Sequence, residues 1–172
     1  MKSISTASVK TWHVIYTKSK WELKVDSLLT KNGFESWCPV QKRERQWSDR
    51  KKIIEEPLFR SYVFIKASKE DYIKILSTNG VVNFLYFLKK PAIIRDVEIE
   101  AIRKYLGQSN TTIQVVDMAN LPPQTKVEIN QGLFMGQKGE VVKASKKSVY
   151  VKLESINMMM IVEFKTSEVS LR

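Results

Sequence analysis

Residues 57–67, PLFRSYVFIKA, carry the reading of the fold. Val63, Ile65 and Ala67 alternate with Tyr62, Phe64 and Lys66, the period of a β-strand whose side chains point to opposite faces. Helices packed on one face leave the other row uncovered, and here that row is the aromatic one. Exposed, it forms an apolar patch with Tyr16, Phe59 and Phe84, and patches of that kind mark protein interfaces. A helix or linker laid over the row accounts for the same residues equally well.

Upstream, FESWCPVQKRERQW (34–47) and KIIEEPLFRSYVFIKA (52–67) read as two extended segments joined by the polar SDRK, a hairpin-like arrangement with a basic tip. Pro57 lacks an N–H, so it should end the pairing and redirect the chain. Further back, WHVIYTK predicts a strand from Trp12 to about Lys18. A helix should follow: Ser19 with Glu22 has the spacing of a capping box, Trp21, Val25, Leu28 and Leu29 share one face, and Gly33 supplies a left-handed stop.

Downstream, Ser68 with Asp71 predicts a second, short helix with Tyr72, Ile75 and Leu76 on its apolar face, closed by Asn79 and Gly80. VVNFLYF reads as one strand, and Asp96 opens a helix carrying Ile99, Ile102 and Leu106. The predicted order is β-α-β-β-α-β-α, an α+β sheet with packed helices. QSNTTIQVVDMANLPP has no sustained period and is expected to be a linker. The runs KVEI, GEVVKA, SVYVKLE, MMMIVEF and SEVSLR then suggest a small all-β barrel. The expected domains are 1–106, a linker 107–122, and 123–172.

Charge narrows the partners. The 172 residues carry 29 Lys+Arg against 18 Asp+Glu, a formal net charge of +11, which attracts polyanions. The excess sits in the first part, with 21 basic and 12 acidic residues through Leu106 against 8 and 6 beyond it. It is densest in KRERQWSDRKK (42–52), where Lys42, Arg43, Arg45, Arg50, Lys51 and Lys52 surround Trp47, an aromatic able to stack on a base. A solvated hairpin tip is the plainer fate of such a run. One cysteine, Cys38, excludes an internal disulfide framework, and the single histidine, His13, leaves no Cys/His set for zinc. Cys38 reads as a small strand residue and His13 as a strand-face residue. Met158 to Met160 read as one side of a core strand. No phosphate-binding loop, zinc-protease motif or nucleophile elbow occurs, so neither an enzyme nor a cofactor is expected. No apolar leader or membrane span is visible, and a cytoplasmic setting is expected.

The glycines Gly132, Gly136 and Gly139 around Phe134 suit the corners of a small barrel. That segment, VEINQGLFMGQKGEVVKASKKSVYVKLE, resembles a KOW motif, the C-terminal module of NusG-type transcription elongation factors. TWHVIYTK and EPLFRSYVFI resemble the partner NGN domain of the same family, so the resemblance spans about Thr11 to Arg172. CPVQKRERQWSDRKKIIEEPLFRSYVFIK is closer to the specialised RfaH-like and UpxY-like antiterminators of surface-polysaccharide operons. The family's Pro-Gly after the phenylalanine is Arg60-Ser61 here, which puts the turn geometry in question.

The resemblance implies a monomeric, non-catalytic antitermination factor that docks on the clamp helices of bacterial RNA polymerase. It implies Tyr16, Phe59, Tyr62, Phe64 and Phe84 in the polymerase contact, with Trp12 in the core. DNA near the transcription bubble, including the non-template strand, would meet the basic hairpin, joined by Lys18, Lys20 and Lys24. The KOW-like module would meet a ribosomal protein or the Rho factor, and the β-formers in SVYVKLE and MMMIVEF predict that it is always a barrel. The alternative is a general RNA-binding or ribosome-associated KOW protein.

Overall fold

A computed structural model describes residues 8–47, 49–108, 111–118 and 148–164. The chain groups into two compact units, Met1–Cys38 with Phe59–Asp96, and Pro39–Leu58 with Val97–Arg172.

The first unit is built on β1 (Thr11–Thr17), which is central because it is apolar on both faces: Trp12, Val14 and Ile15 are all buried. It pairs antiparallel with β5 (Tyr62–Ala67) through a register that sets Val14 opposite Phe64 and Ile15 opposite Val63. β2 (Glu35–Trp37) adds to the far edge of β5, β6 (Val81–Phe84) to the other side of β1, and β9 (Ile93–Ile94) also pairs with β1. The region expected as one strand from Val81 to Phe87 is broken. Leu85 donates its N–H to Val14 O, and Tyr86–Phe87 (β7) leaves the main sheet to pair with Lys90–Pro91 (β8).

Helix α1 (Glu22–Lys31) buries Val25 and Leu29, and Gly33 takes φ +85 beyond its end, as the sequence predicts. The capping box does not form. Trp21 stands at the N-cap without a side-chain bond, and Glu22, although buried, turns away to accept the N–H of Ser61 at 2.7 Å. Proximity in three dimensions has outcompeted the local cap. Ser61 needs this help, because it has φ +62, a conformation that costs a residue with a Cβ roughly 1–2 kcal/mol. The turn after Phe59 thus keeps a left-handed residue without glycine. Ser61→Gly is therefore expected to raise stability by about 0.5–1 kcal/mol in urea denaturation, the relief of strain exceeding glycine's larger unfolded-state freedom. A loss would mean that the serine is unstrained.

The second capping box is present: Ser68 N and Oγ both donate to Asp71 Oδ2, at 3.0 and 2.9 Å, ahead of a 3₁₀ turn and helix α2 (Tyr72–Leu76). Ile75 is buried, Tyr72 half-buried, and Leu76 exposed. Under α2 lies His13, buried on β1. Its Nδ1 donates to Ala92 O at 2.8 Å, leaving Nε2 to accept from the hydroxyls of Thr11 (3.0 Å) and Tyr72 (3.2 Å). Burial lowers the His13 pKa, and the bond to Ala92 only partly offsets it. Because the folded pKa lies below the unfolded value of 6.5, stability is complete above that value and is lost as pH falls toward the folded one. Between pH 8 and 5.5 the native chain should lose stability relative to His13→Asn, by at most about 1.4 kcal/mol per pH unit in that window. Parallel pH profiles would show that His13 titrates alike in both states.

In the second unit, β3 (Val40–Gln46) and β4 (Lys51–Pro57) form a seven-pair antiparallel hairpin ending at Val40 and Pro57, where the proline was expected to stop it. The strand expected from 34 to 47 is interrupted at Cys38-Pro39. Cys38 is thus a buried junction residue and not a strand residue, its thiol pushed up to about 12 by burial and then by Asp26 and Glu22. Helix α3 (Asp96–Leu106) buries Ile99, Ile102 and Tyr105, and Ser155 Oγ donates to Glu98 Oε2 at 3.1 Å.

The expected linker 107–122 is corrected in its middle: Thr111–Asp117 is a strand, β10, paired along its whole length with β12 (Met158–Phe164), which also pairs with β11 (Ser148–Leu153). Ile113 buries itself there, so the threonine-rich start hid a strand period. Met159 and Met160 are both buried, so β12 packs on two sides and not one. SVYVKLE and MMMIVEF are strands, in agreement with their composition. The remaining expected barrel strands lie outside the described residues.

Candidate functional site

Cross-strand register decides which expected contact residues meet. Trp37, Phe64 and Val14 lie opposite one another along β2, β5 and β1, and Tyr62 faces Tyr16. These side chains share one face. Phe84 lies opposite Ile15 and so belongs to the other face, where its ring meets Tyr72 at 4.5 Å and His13 at 5.8 Å.

The expected exposed aromatic patch is not formed. Phe59, Phe64 and Phe84 are 1%, 0% and 2% exposed, and Tyr62 is 9% exposed. Phe59 stands edge-on to Phe64 at 5.2 Å, and Trp37 flanks Phe64 at 5.8 Å. Strand alternation assigned Tyr62 and Phe64 to one row correctly, but that row packs as core. Tyr16 alone of the five opens to solvent, at 38%, with its hydroxyl 2.6 Å from that of Tyr62. Trp12 is buried, as expected.

The basic residues fall into two groups, one in each unit. In the first, Lys18, Lys20 and Lys24 are exposed around the start of α1. Lys24 Nζ lies 4.2 Å and Lys18 Nζ 5.5 Å from the Trp21 ring centre, cation–π contacts that hold both ammonium groups beside one indole. The sequence placed Trp21 only on one helix face with Val25, Leu28 and Leu29. In the second group, Lys42, Arg43 and Arg45 lie on β3, Lys51 and Lys52 on β4, and Trp47 and Arg50 flank the turn, joined by Trp47 N–H to Arg50 O at 2.8 Å. All seven are exposed.

The hairpin carries its own counter-charges, which inspection of 42–52 alone understates. Lys42 pairs with Glu55 at 3.9 Å, Lys51 with Glu44 at 3.3 Å, and Arg45 with Glu56. Arg43 donates to Ile113 O at 3.4 Å. Among the described residues Lys52 has no acidic partner. Exposed pairs of this kind add at most about 1 kcal/mol each to stability, so their importance is to the local field. Gly132, Phe134, Gly136 and Gly139 lie outside the described residues. Among the described residues no cluster of His, Cys, Asp and Glu suits a metal, and no helix is long and apolar enough to cross a membrane.

Residues 10–103 match the family described as transcription termination factor nusG, which is more than half of the chain. The transcription termination/antitermination proteins NusG of Streptococcus pyogenes serotypes M3 and M1 are each 29% identical over 175 residues, covering 94% of this chain and 96% of theirs. A solved structure described as domain interaction in Thermotoga maritima NusG aligns with 90% of this chain and 97% of its own, at 20% identity and a TM-score of 0.47. By the family match over 10–103, the chain belongs to the NusG family of transcription termination factors.

Proposed function

We propose that this NusG-family protein is an operon-specific antitermination factor of the RfaH-like and UpxY-like type. It docks on RNA polymerase through the NGN-like part (1–106) and suppresses pausing and termination at loci such as surface-polysaccharide operons. The family match over residues 10–103 supports the NusG-like part of the reading, and the resemblance of CPVQKRERQWSDRKKIIEEPLFRSYVFIK to RfaH-like and UpxY-like factors supports the operon-specific part. The factor is non-catalytic and acts by binding the elongating state of polymerase better than the paused one, shifting the balance only by that difference. The KOW-like part (123–172) meets a ribosomal protein or Rho, and 107–122 joins the two, with β10 inside it.

The docking contact is centred on Tyr16 and the Tyr62 edge, while Phe59, Phe64 and Phe84 hold the sheet beneath. The exposed hairpin with Trp47, and the Lys18, Lys20 and Lys24 group, contact DNA near the transcription bubble. Capture of purified bacterial RNA polymerase tests the docking, at low and moderate salt with naked RNA as competitor. Capture by the native chain should survive both, and Tyr16→Glu should abolish it with the fold intact. If RNA removes all capture and Tyr16→Glu behaves as native, the basic surfaces are the function and the chain is a general RNA-binding protein.

A further inference from the structure

The β7–β8 hairpin is absorbed by none of the contacts above. Its two-residue connection, Leu88 and Lys89, has φ +50 and +64, the mirror-image turn that suits a tight hairpin but usually calls for Asn-Gly. Leucine and lysine hold it here, and Leu88 is 81% exposed. Tyr86 and Phe87 are each 52% exposed, a large opening for aromatic residues where the other strand rings among the described residues are mostly core. The base of the hairpin is fixed: Ala92 N–H donates to Leu85 O at 2.8 Å, and Ala92 O accepts from His13.

Register sorts the side chains. Phe87 lies opposite Lys90 and Tyr86 opposite Pro91, and directly opposed residues share a face of a two-stranded ladder. One face therefore offers an open phenyl ring beside an ammonium group, and the other a phenol backed by proline. Residues 86–95 contain Lys89, Lys90 and Arg95 and no acid. Lys89 and Lys90 are exposed and, among the described residues, meet no carboxylate. In this they differ from the β3–β4 hairpin, where acids in the ladder engage Lys42, Arg45 and Lys51.

The centre of a protein–protein interface is depleted in lysine, so an apolar tip interleaved with unneutralised ammonium groups fits a protein partner poorly. It fits a ligand that presents flat π faces and closely spaced negative charges together. We propose that the Tyr86–Pro91 hairpin is a contact for single-stranded nucleic acid. Phe87 stacks on an unpaired base, Tyr86 bounds the opposite side, and Lys89 and Lys90 meet the adjoining phosphates. A duplex keeps its base faces stacked and gains only the lysine contacts. The inference rests on neither polymerase docking nor the β3–β4 hairpin.

The test uses the full chain and a labelled short oligodeoxythymidine, with a duplex of the same length as reference, followed by fluorescence anisotropy over a salt series. Phe87→Ala should weaken single-strand binding about tenfold, leave duplex binding unchanged, and keep the salt slope. Phe87→Trp should restore affinity and show quenched indole emission on binding. The double variant Lys89→Gln/Lys90→Gln should flatten the slope of log K against log salt by about 1.4, at roughly 0.7 per phosphate contact on a single strand. Native affinity in Phe87→Ala of native melting temperature overturns the proposal, as does an equal loss on single strand and duplex. A Phe87-dependent dimer in sedimentation, with unchanged oligonucleotide binding, overturns it in favour of a self-contact.

Discussion

Phe64→Ala is expected to lower stability by about 3–5 kcal/mol, the range for removing a fully buried phenyl ring and leaving its cavity. The ring is 0% exposed, edge-on to Phe59 and flanked by Trp37, so no single neighbour can collapse into the space. Urea denaturation followed by tryptophan fluorescence should show a lower midpoint with little change in slope. Phe64→Leu keeps most of the volume and should cost much less. A loss below about 1 kcal/mol for the alanine variant would contradict the burial and return the row to the surface, since exposed substitutions fall within about 0.5 kcal/mol. The same result bears on polymerase capture: a Phe64 or Phe59 variant that fails to dock has lost its sheet before losing a contact. On the proposed docking, Tyr16, 38% exposed, would be the position where docking and folding separate.

Gly80→Ala should cost about 2–4 kcal/mol, for two reasons that add. Gly80 has φ +95, where a Cβ is strained by roughly 1–2 kcal/mol, and the new methyl would overlap the Trp21 ring and stand 2.8 Å from Val25 Cγ2. Backbone movement offers little relief, because Gly80 O accepts the N–H of Lys18 at 2.9 Å. Thermal unfolding should show the loss. A displaced Trp21 would also disturb the ring that Lys24 and Lys18 approach, so Gly80→Ala should perturb the basic group at the start of α1 while leaving the β3–β4 hairpin untouched. A substitution cost under 1 kcal/mol would mean that Trp21 swings aside freely.

Several elements are legible in local sequence. α1 with its glycine stop, the Ser68–Asp71 box and the β3–β4 hairpin rest on interactions between near neighbours in sequence, β1 shows in its own aromatic and β-branched run although its partners are distant, and each forms where its pattern lies. What failed depends on distance. The alternation in 62–67 shows that Tyr62 and Phe64 share a face but carries no information on whether that face is buried. Phe84 was grouped with them because the register of β6 on β1 is set by pairing, and the sheet places it opposite Ile15. Glu22 looked like a capping residue because Ser61, 39 residues on, was not visible as its partner. In the candidate site, the density of bases at 42–52 was evident, whereas the pairing of Lys42 with Glu55 and of Arg45 with Glu56 follows only from the ladder.

That ladder alters how the β3–β4 hairpin would behave as a polyelectrolyte. Free cations lining a bare basic strand exchange for phosphates with release of mobile ions, and affinity then falls steeply as salt rises. Here Glu44, Glu55 and Glu56 are tethered counter-ions that cannot diffuse away when a nucleic acid arrives. At Lys42, Arg45 and Lys51 binding would have to swap one partner for another and would gain less per contact than at an unpaired cation. If the hairpin meets a nucleic acid as proposed, it would grip a ligand held in place by something else better than one free in solution.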